Sequence, residues 1–135
     1  MVALIDANVI LNYITDREDP FKNSSHKIME LCSLGEVDGV VSFHTVSIIW
    51  YALKIPAYDK RIWLKEVCTV LKVVGASHDR VISAIENDSF KDFEDCLQDE
   101  CAQDAEADCI VTCNVKDFKN AKTPIYNPDE FVALI

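Results

Sequence analysis

The sequence is short of several things, and each shortage removes a class of protein. No run approaches the roughly 18 consecutive apolar residues of a membrane-spanning helix, and no basic stretch precedes the apolar residues at the N-terminus. The expectation is a cytoplasmic chain without a membrane role. Basic residues are scarce: 13 Lys and Arg stand against 23 Asp and Glu, a formal charge of -10. Gripping nucleic acid through a broad basic surface requires many neutralised phosphates, so this composition argues against it. A metal ion or a basic partner would have to reverse the sign locally. Six cysteines (Cys32, Cys68, Cys96, Cys101, Cys109, Cys113) are present, but there is no C-x-x-C, and His26, His44 and His78 share no ligand spacing. Free, buried thiols are expected rather than disulfides or a zinc site. Repeats, low-complexity tracts and linkers are also missing. The 135 residues therefore read as one domain, 1–135, able to bury about two-thirds of its unfolded surface.

What is present alternates between two periods. "VALI" at residues 2–5 is a short apolar run suited to a strand covered on both faces. "GVVSF" (39–43), "KVV" (72–74) and "CIVT" (109–112) read as further central strands. Between them lie helical stretches. "SSHKIMELCSLG" sets Ile28, Leu31 and Cys32 at helical spacing and stops at Gly35, as a helix C-terminus does. "TVSIIWYALK", "DKRIWLKEVCTVL" and "DRVISAIEN" follow. "DFEDCLQDECAQDAEA" places Phe93, Leu97 and Cys101 on one arc with acids opposite. "NPDEFVALI" closes the chain as a helix with Asn127 as cap and Pro128 in the first turn. Strands alternating with helices predict a three-layer α/β/α sandwich around a mostly parallel sheet. Such sheets bind ligands beyond the carboxyl ends of their strands.

That rule gives meaning to the first acid. Asp6 follows "VALI" directly and so marks the carboxyl end of the first strand. The fourth strand ends at Thr112, with Asn114 and Asp117 just beyond it and expected in the same crevice. The late helix adds Asp92, Asp95 and Asp99, within about a sixth of a turn of one another on the helical wheel. Carboxylates converging from several strand ends raise one another's pKa unless a cation sits among them, and a set of oxygen donors suits Mg²⁺ or Mn²⁺. Simpler roles stand beside this one. Asp6 can cap the helix that begins at Ala7, Asn8 can be a surface residue, and Asn114 and Asp117 can form a turn. Asp92 and Asp99 read more readily as a solvated acidic face. The histidines read as surface residues or as supports for the site, with His44 the best placed, just past the second strand.

The stretches "LIDANVILNYI", "VVSFHTVSIIWYALK", "DFEDCLQDECAQDAEADCIVTCNVKDF" and "PIYNPDEFVALI", taken in order, resemble a PIN domain over almost the whole chain. PIN domains are metal-dependent ribonucleases, many of them toxins of bacterial toxin–antitoxin pairs. The resemblance implies that Asp6 and Asp95 hold Mg²⁺ or Mn²⁺, and that Asn114 and Asp117 occupy the site positions after the fourth strand. It also implies supporting polar roles for Asn8 and Thr112. The expected function is hydrolysis of phosphodiester bonds in RNA, single-stranded in preference, and the catalytic set is Asp6, Asn8, Asp95, Asn114 and Asp117. Asp117 or Asp92 would orient the attacking water. A basic antitoxin and a second copy of the chain are the expected partners.

One departure accompanies these matches. Many PIN domains carry a glutamate six residues beyond a serine that ends the second strand, and counting from Ser42 lands on Ile48. A further acid, commonly aspartate, is replaced by Asn114. Losing two negative ligands weakens a second metal site most. A PIN fold kept as a binding module with an eroded catalytic set is therefore the alternative. A haloacid-dehalogenase-type phosphatase needs an aspartate where Asn8 stands, and a response-regulator receiver needs paired acids near the first strand; neither pattern is present. Lys54, Lys60, Arg61, Lys116, Lys119 and Lys122 are the candidate RNA contacts. The helices around Trp50 and Trp63 carry more apolar surface than one buried stripe uses, which points to a homodimer through that region.

Overall fold

The computed structural model describes residues 1–135. The first strand, β1 (Val2–Ile5), runs into α1 (Ala7–Ile14) with only Asp6 between them. There follow α2 (Lys22–Ser33), β2 (Asp38–Ser42), α3 (Phe43–Ala52), α4 (Ala57–Val70), β3 (Lys72–Val74) and α5 (His78–Glu86). The chain ends with α6 (Phe93–Asp104), β4 (Cys109–Val111), a 3-10 turn at Val115–Phe118, β5 (Ile125–Tyr126) and α7 (Pro128–Leu134).

The five strands are parallel, in the order β3-β2-β1-β4-β5. Chain order runs outward from β1 through β2 to β3, then returns to β4 on the other side of β1. The reversal therefore falls between β1 and β4, where a parallel sheet opens a crevice at its carboxyl edge. Alternation along the strands feeds two cores. Ala3, Ile5, Val41, Cys109 and Val111 face a cluster of 18 buried residues that includes Ile10, Ile28, Met29, Val67 and Phe131 from α1, α2, α4 and α7. Leu4, Val40 and Ile110 face a smaller cluster with Cys101, Ala102 and Phe118, on the side covered by α6. Full burial of one such aliphatic or aromatic side chain contributes about 1.5–3 kcal/mol, so the larger core dominates the stability. The expected α/β/α sandwich is what forms.

Gly39 in β2 permits close packing: a Cβ there would lie 2.6 Å from Cys32 Sγ and collide with the Leu71 side chain. Gly35, at φ +74, ends α2 as expected. The α7 cap is a capping box, in which Asn127 and Glu130 exchange side-chain and backbone hydrogen bonds. All six cysteines are free, four of them buried, with Cys113 half-buried and Cys68 exposed.

Three expectations need correction. "KVV" is not a central strand but the sheet edge, with Val73 39 % exposed. The second strand stops at Ser42, and Phe43 opens α3 with its ring in solvent. The buried side of α6 is not the arc of Phe93, Leu97 and Cys101, since Phe93 is half-exposed; it comprises Cys96, Gln98, Asp99, Glu100, Cys101 and Ala102. A hydrophobic-arc reading misses this because the three polar members are buried with partners. Asp99 accepts the amides of Lys122 and Thr123 at 3.0 and 3.1 Å, and Glu100 pairs with Arg80 at 3.1 Å.

Candidate active site

Asp6 occupies the point where β1 becomes α1. Its backbone N–H still belongs to the sheet and donates to Val111 O at 3.0 Å. Its side chain already belongs to the helix and caps it by accepting from Ala7 N at 2.9 Å. The cap is thus real, and it is only one of several bonds to this carboxylate. Gln98 Nε2 donates to Oδ1 at 2.8 Å, Thr112 Oγ1 donates to Oδ2 at 2.8 Å, and Asn8 Nδ2 makes a long contact of 3.4 Å with Oδ2. Three elements besides its own therefore hold Asp6 in place: α6, the end of β4 and the first turn of α1.

The network reaches further on both sides. Gln98 Nε2 also donates to Thr45 Oγ1 at 3.2 Å, and Thr45 bonds Ser42 Oγ at 2.6 Å, tying α3 and the end of β2 to the same carboxylate. Thr112 Oγ1 accepts from Asn114 N at 3.1 Å, and Asn8 Oδ1 accepts from Cys113 N at 3.1 Å. Asn8 and Thr112, expected as supporting positions, both contact the Asp6 carboxylate. Gln98 and Thr45 were not anticipated. Gln98 lies one helical turn beyond Asp95 and is 1 % exposed, so helical spacing alone would have placed it beside that acid.

Asp95 contrasts with Asp6. It is half-buried in α6 and its carboxylate accepts no hydrogen bond from the protein. Burial first, then the charges of Asp6, Asp92, Asp117 and Glu94, push its pKa up to about 7. The same surroundings raise Glu94, through burial and then Asp92 and Asp6. Asp117, in the 3-10 turn, and Asp92, the N-cap of the helix that carries Asp95, thus lie within electrostatic reach of it. Asn114 lies exposed at the start of the 3-10 turn, at the rim. Asp99 is neither in this site nor solvated. It is 3 % exposed and turned toward residues 122 and 123, whose amides it binds.

Neighbouring groups limit the chemistry. Cys113 sits at the mouth, but burial first, then Asp19, pushes its thiol up to about 12, so no thiolate nucleophile is available. Burial lowers the pKa of His44 against the pull of Asp6, and its Nε2 has no partner. Ile48 is half-buried and lines a recess of about 560 Å³ with His44, Ser47, Tyr51, Phe93, Glu94 and Leu97. Glu94 reaches this recess from the opposite helix.

Do these residues suit a divalent ion? No three Asp, Glu, His or Cys side chains converge at ligand spacing, which rules out a closed tetrahedral cage of the zinc type. A hard ion that keeps several waters needs only one or two carboxylates. Asp95, raised by its neighbours and free of bonds, and Asp6, fixed by four, match that requirement.

The chain belongs to the PIN domain family, whose model matches residues 2–116. It is a nuclease family, and the fold agrees with it. Among solved structures, VapBC2 from Rickettsia felis, bound to a DNA fragment from its promoter, aligns with a TM-score of 0.72 at 18 % identity. That match covers 94 % of this chain and 98 % of the other. VapBC-1 from nontypeable Haemophilus influenzae aligns with a TM-score of 0.71 at 15 % identity, covering 96 % and 99 %. FitAcB from Neisseria gonorrhoeae aligns with a TM-score of 0.68 at 15 % identity, covering 95 % and 98 %. At these identities the likeness is one of fold. No curated protein matches the sequence.

Proposed function

We propose that this PIN domain is a Mg²⁺- or Mn²⁺-dependent endoribonuclease that hydrolyses single-stranded RNA and serves as the toxin of a toxin–antitoxin pair. The observation that carries this reading is Asp95, an open carboxylate raised to about 7 by burial and by four neighbouring acids beside a fully anchored Asp6. Asp6 and Asp95 would hold the ion, and it would supply charge that offsets the negative crevice, polarises the scissile phosphate and acidifies a water. Gln98, Thr112 and Asn8 fix the Asp6 oxygens, so that the carboxylate need not reorganise when substrate arrives. Asp117 orients the attacking water from the opposite wall, and Asn114 supports the rim without adding charge.

Partners follow from charge and exposed apolar surface. A chain of formal charge -10 with an acidic crevice is complementary to a basic antitoxin, and the VapBC neighbours are toxin–antitoxin complexes. A homodimer forms through α3 and α4. Both tryptophans are engaged within the chain, Trp63 edge-on to Tyr13 at 6.0 Å and Trp50 beneath Lys60 and Arg61. The contact is therefore made by their exposed neighbours Tyr51, Tyr58 and Ile62.

The test is cleavage of single-stranded RNA with Mg²⁺ or Mn²⁺, with chelator as control. Wild type cleaves, and Asp95→Asn loses more than about 100-fold in rate. Ile48, where many PIN domains place a glutamate, favours one other reading, a binding module without activity. Absence of any cation-dependent cleavage by wild type selects that reading.

A further inference from the structure

An RNA phosphate entering this crevice meets Asp6, Asp92, Glu94, Asp95 and Asp117, so it needs a cation that the protein has not already neutralised. Most positioned cations are already engaged. Lys22 pairs with Asp16, Lys27 with Glu30, and Arg80 with Glu100 and Asp104. Lys60 donates to Trp50 O at 2.8 Å, and Arg61 lies over the Trp50 ring at 5.2 Å. Lys116, Lys119 and Lys122 are exposed, and no hydrogen bond fixes their ammonium groups.

Arg17 differs from all of these. It belongs to none of the four ion pairs, yet two neutral oxygens hold it. Its Nε donates to Asn12 Oδ1 at 2.6 Å and its Nη2 donates to the Asn8 carbonyl at 2.9 Å. Asn12 is fully buried and anchored in turn by donating to Ser25 Oγ at 3.2 Å, so the clamp is rigid at its base. Asn8 lies one turn nearer the start of α1 than Asn12, and the Arg17 side chain therefore reaches back along α1 to its first turn. The side chain of Asn8 itself contacts Asp6 Oδ2 and Thr112 Oγ1, both at 3.4 Å. One residue thus separates the Arg17 guanidinium from the crevice. The two bonds occupy the Nε–Nη2 edge and leave the Nη1–Nη2 edge free, a fork that fits two non-bridging oxygens of a phosphodiester.

We propose that Arg17 is the phosphate anchor of the RNA path, binding the backbone of single-stranded RNA next to the scissile bond. This rests on the ribonuclease reading for its ligand, though not for its geometry. A guanidinium fixed on neutral acceptors retains its full charge for phosphate, whereas one paired with a carboxylate would have to exchange partners. It is the feature that lets an otherwise acidic chain hold an anionic polymer at one point.

The experiment is fluorescence anisotropy with a labelled single-stranded oligoribonucleotide, using Ca²⁺ in place of Mg²⁺ to slow turnover, at several salt concentrations. Wild type, Arg17→Ala and Arg17→Lys are compared, with Mn²⁺ affinity measured by calorimetry and Tm recorded for each. Arg17→Ala weakens RNA binding about tenfold and lowers the slope of log K against log salt by about 0.7, the value for one phosphate contact on a single strand. Arg17→Lys keeps the slope and recovers only part of the affinity, because the charge remains and the fork is lost. Mn²⁺ affinity is unchanged in both. If Arg17→Ala does not fold, Arg17→Lys against wild type still decides: equal affinity overturns the fork contact. A lowered Tm with unchanged affinity and salt slope means a structural role and overturns the proposal. RNA binding that depends on Arg17, without cation-dependent cleavage, keeps the anchor and removes the enzyme. Cleavage that is indifferent to Arg17 does the reverse, and no RNA binding by wild type overturns both.

Discussion

Replacing Asp95 by asparagine should stabilise the metal-free protein, by an amount that grows as pH rises from about 4 to about 7. The Asp95 carboxyl is raised from 3.8 to about 7, by burial first and then by Asp6, Asp92, Asp117 and Glu94. A carboxyl whose folded pKa lies above its unfolded value binds more protons when folded, so stability falls as pH rises between those two values. Below about pH 4 both states are protonated and the penalty is absent; above about pH 7 it is complete. Taken at face value the shift represents several kcal/mol. Asp95 is only half-buried, however, and solvent screening reduces the effect to about 1–2 kcal/mol. For a chain of this size that corresponds to a rise in Tm of about 3–8 °C. The assay is a set of thermal melts of wild type and Asp95→Asn in chelator, from pH 4 to pH 8.5. The gain should appear across pH 4 to 7, reach a plateau above it, and shrink when saturating Mg²⁺ stabilises the wild type alone. A variant that melts at or below wild type at pH 8, or a gain independent of pH, would refute the electrostatic reasoning.

Two further outcomes follow from contacts already described. Asp99→Ala removes the acceptor of the Lys122 and Thr123 amides and should cost about 2–4 kcal/mol, seen as a lower urea midpoint together with faster hydrogen exchange at those two amides. Sedimentation at micromolar concentration should give a dimer that Tyr58→Lys with Ile62→Lys converts to a monomer, and a wild type that is monomeric throughout would rule out the interface.

Much of the architecture is legible because its signals are local. "VALI" is apolar at every position because β1 is covered on both faces, and Asn127–Pro128 carries the chemistry of a helix start in two residues. β5 is not legible: two residues after Pro124 give no period to detect, and the pairing of Ile125 with Ile110 makes it a strand. β3 has the composition of a central strand but lies at the edge, a distinction set by which elements cover it. The site divides in the same way. Asp6 can be found because strand ends are marked in the sequence, and Asn8 and Thr112 because the stretches that hold them resemble a PIN domain. Thr45 and Asp99 cannot, and Gln98 only through its spacing from Asp95, because polar residues on a helix read as solvated unless their partners are known. Those partners are a carboxylate 92 residues away and two main-chain amides. Arg17 escapes notice for the same reason, since its importance lies in its bonds to Asn8 and Asn12 and in having no carboxylate within pairing distance.

The central claim is that Asp6 and Asp95 form one divalent-cation site, and Mn²⁺ binding followed by electron paramagnetic resonance with calorimetry tests it most directly. Wild type should bind a single Mn²⁺ with proton release near neutral pH, as the ion displaces the proton of the raised Asp95 carboxyl into solvent. Asp95→Asn should lose that ion at concentrations that saturate wild type, while remaining folded. Wild-type affinity retained in Asp95→Asn, or no specific Mn²⁺ site in wild type, would contradict the claim.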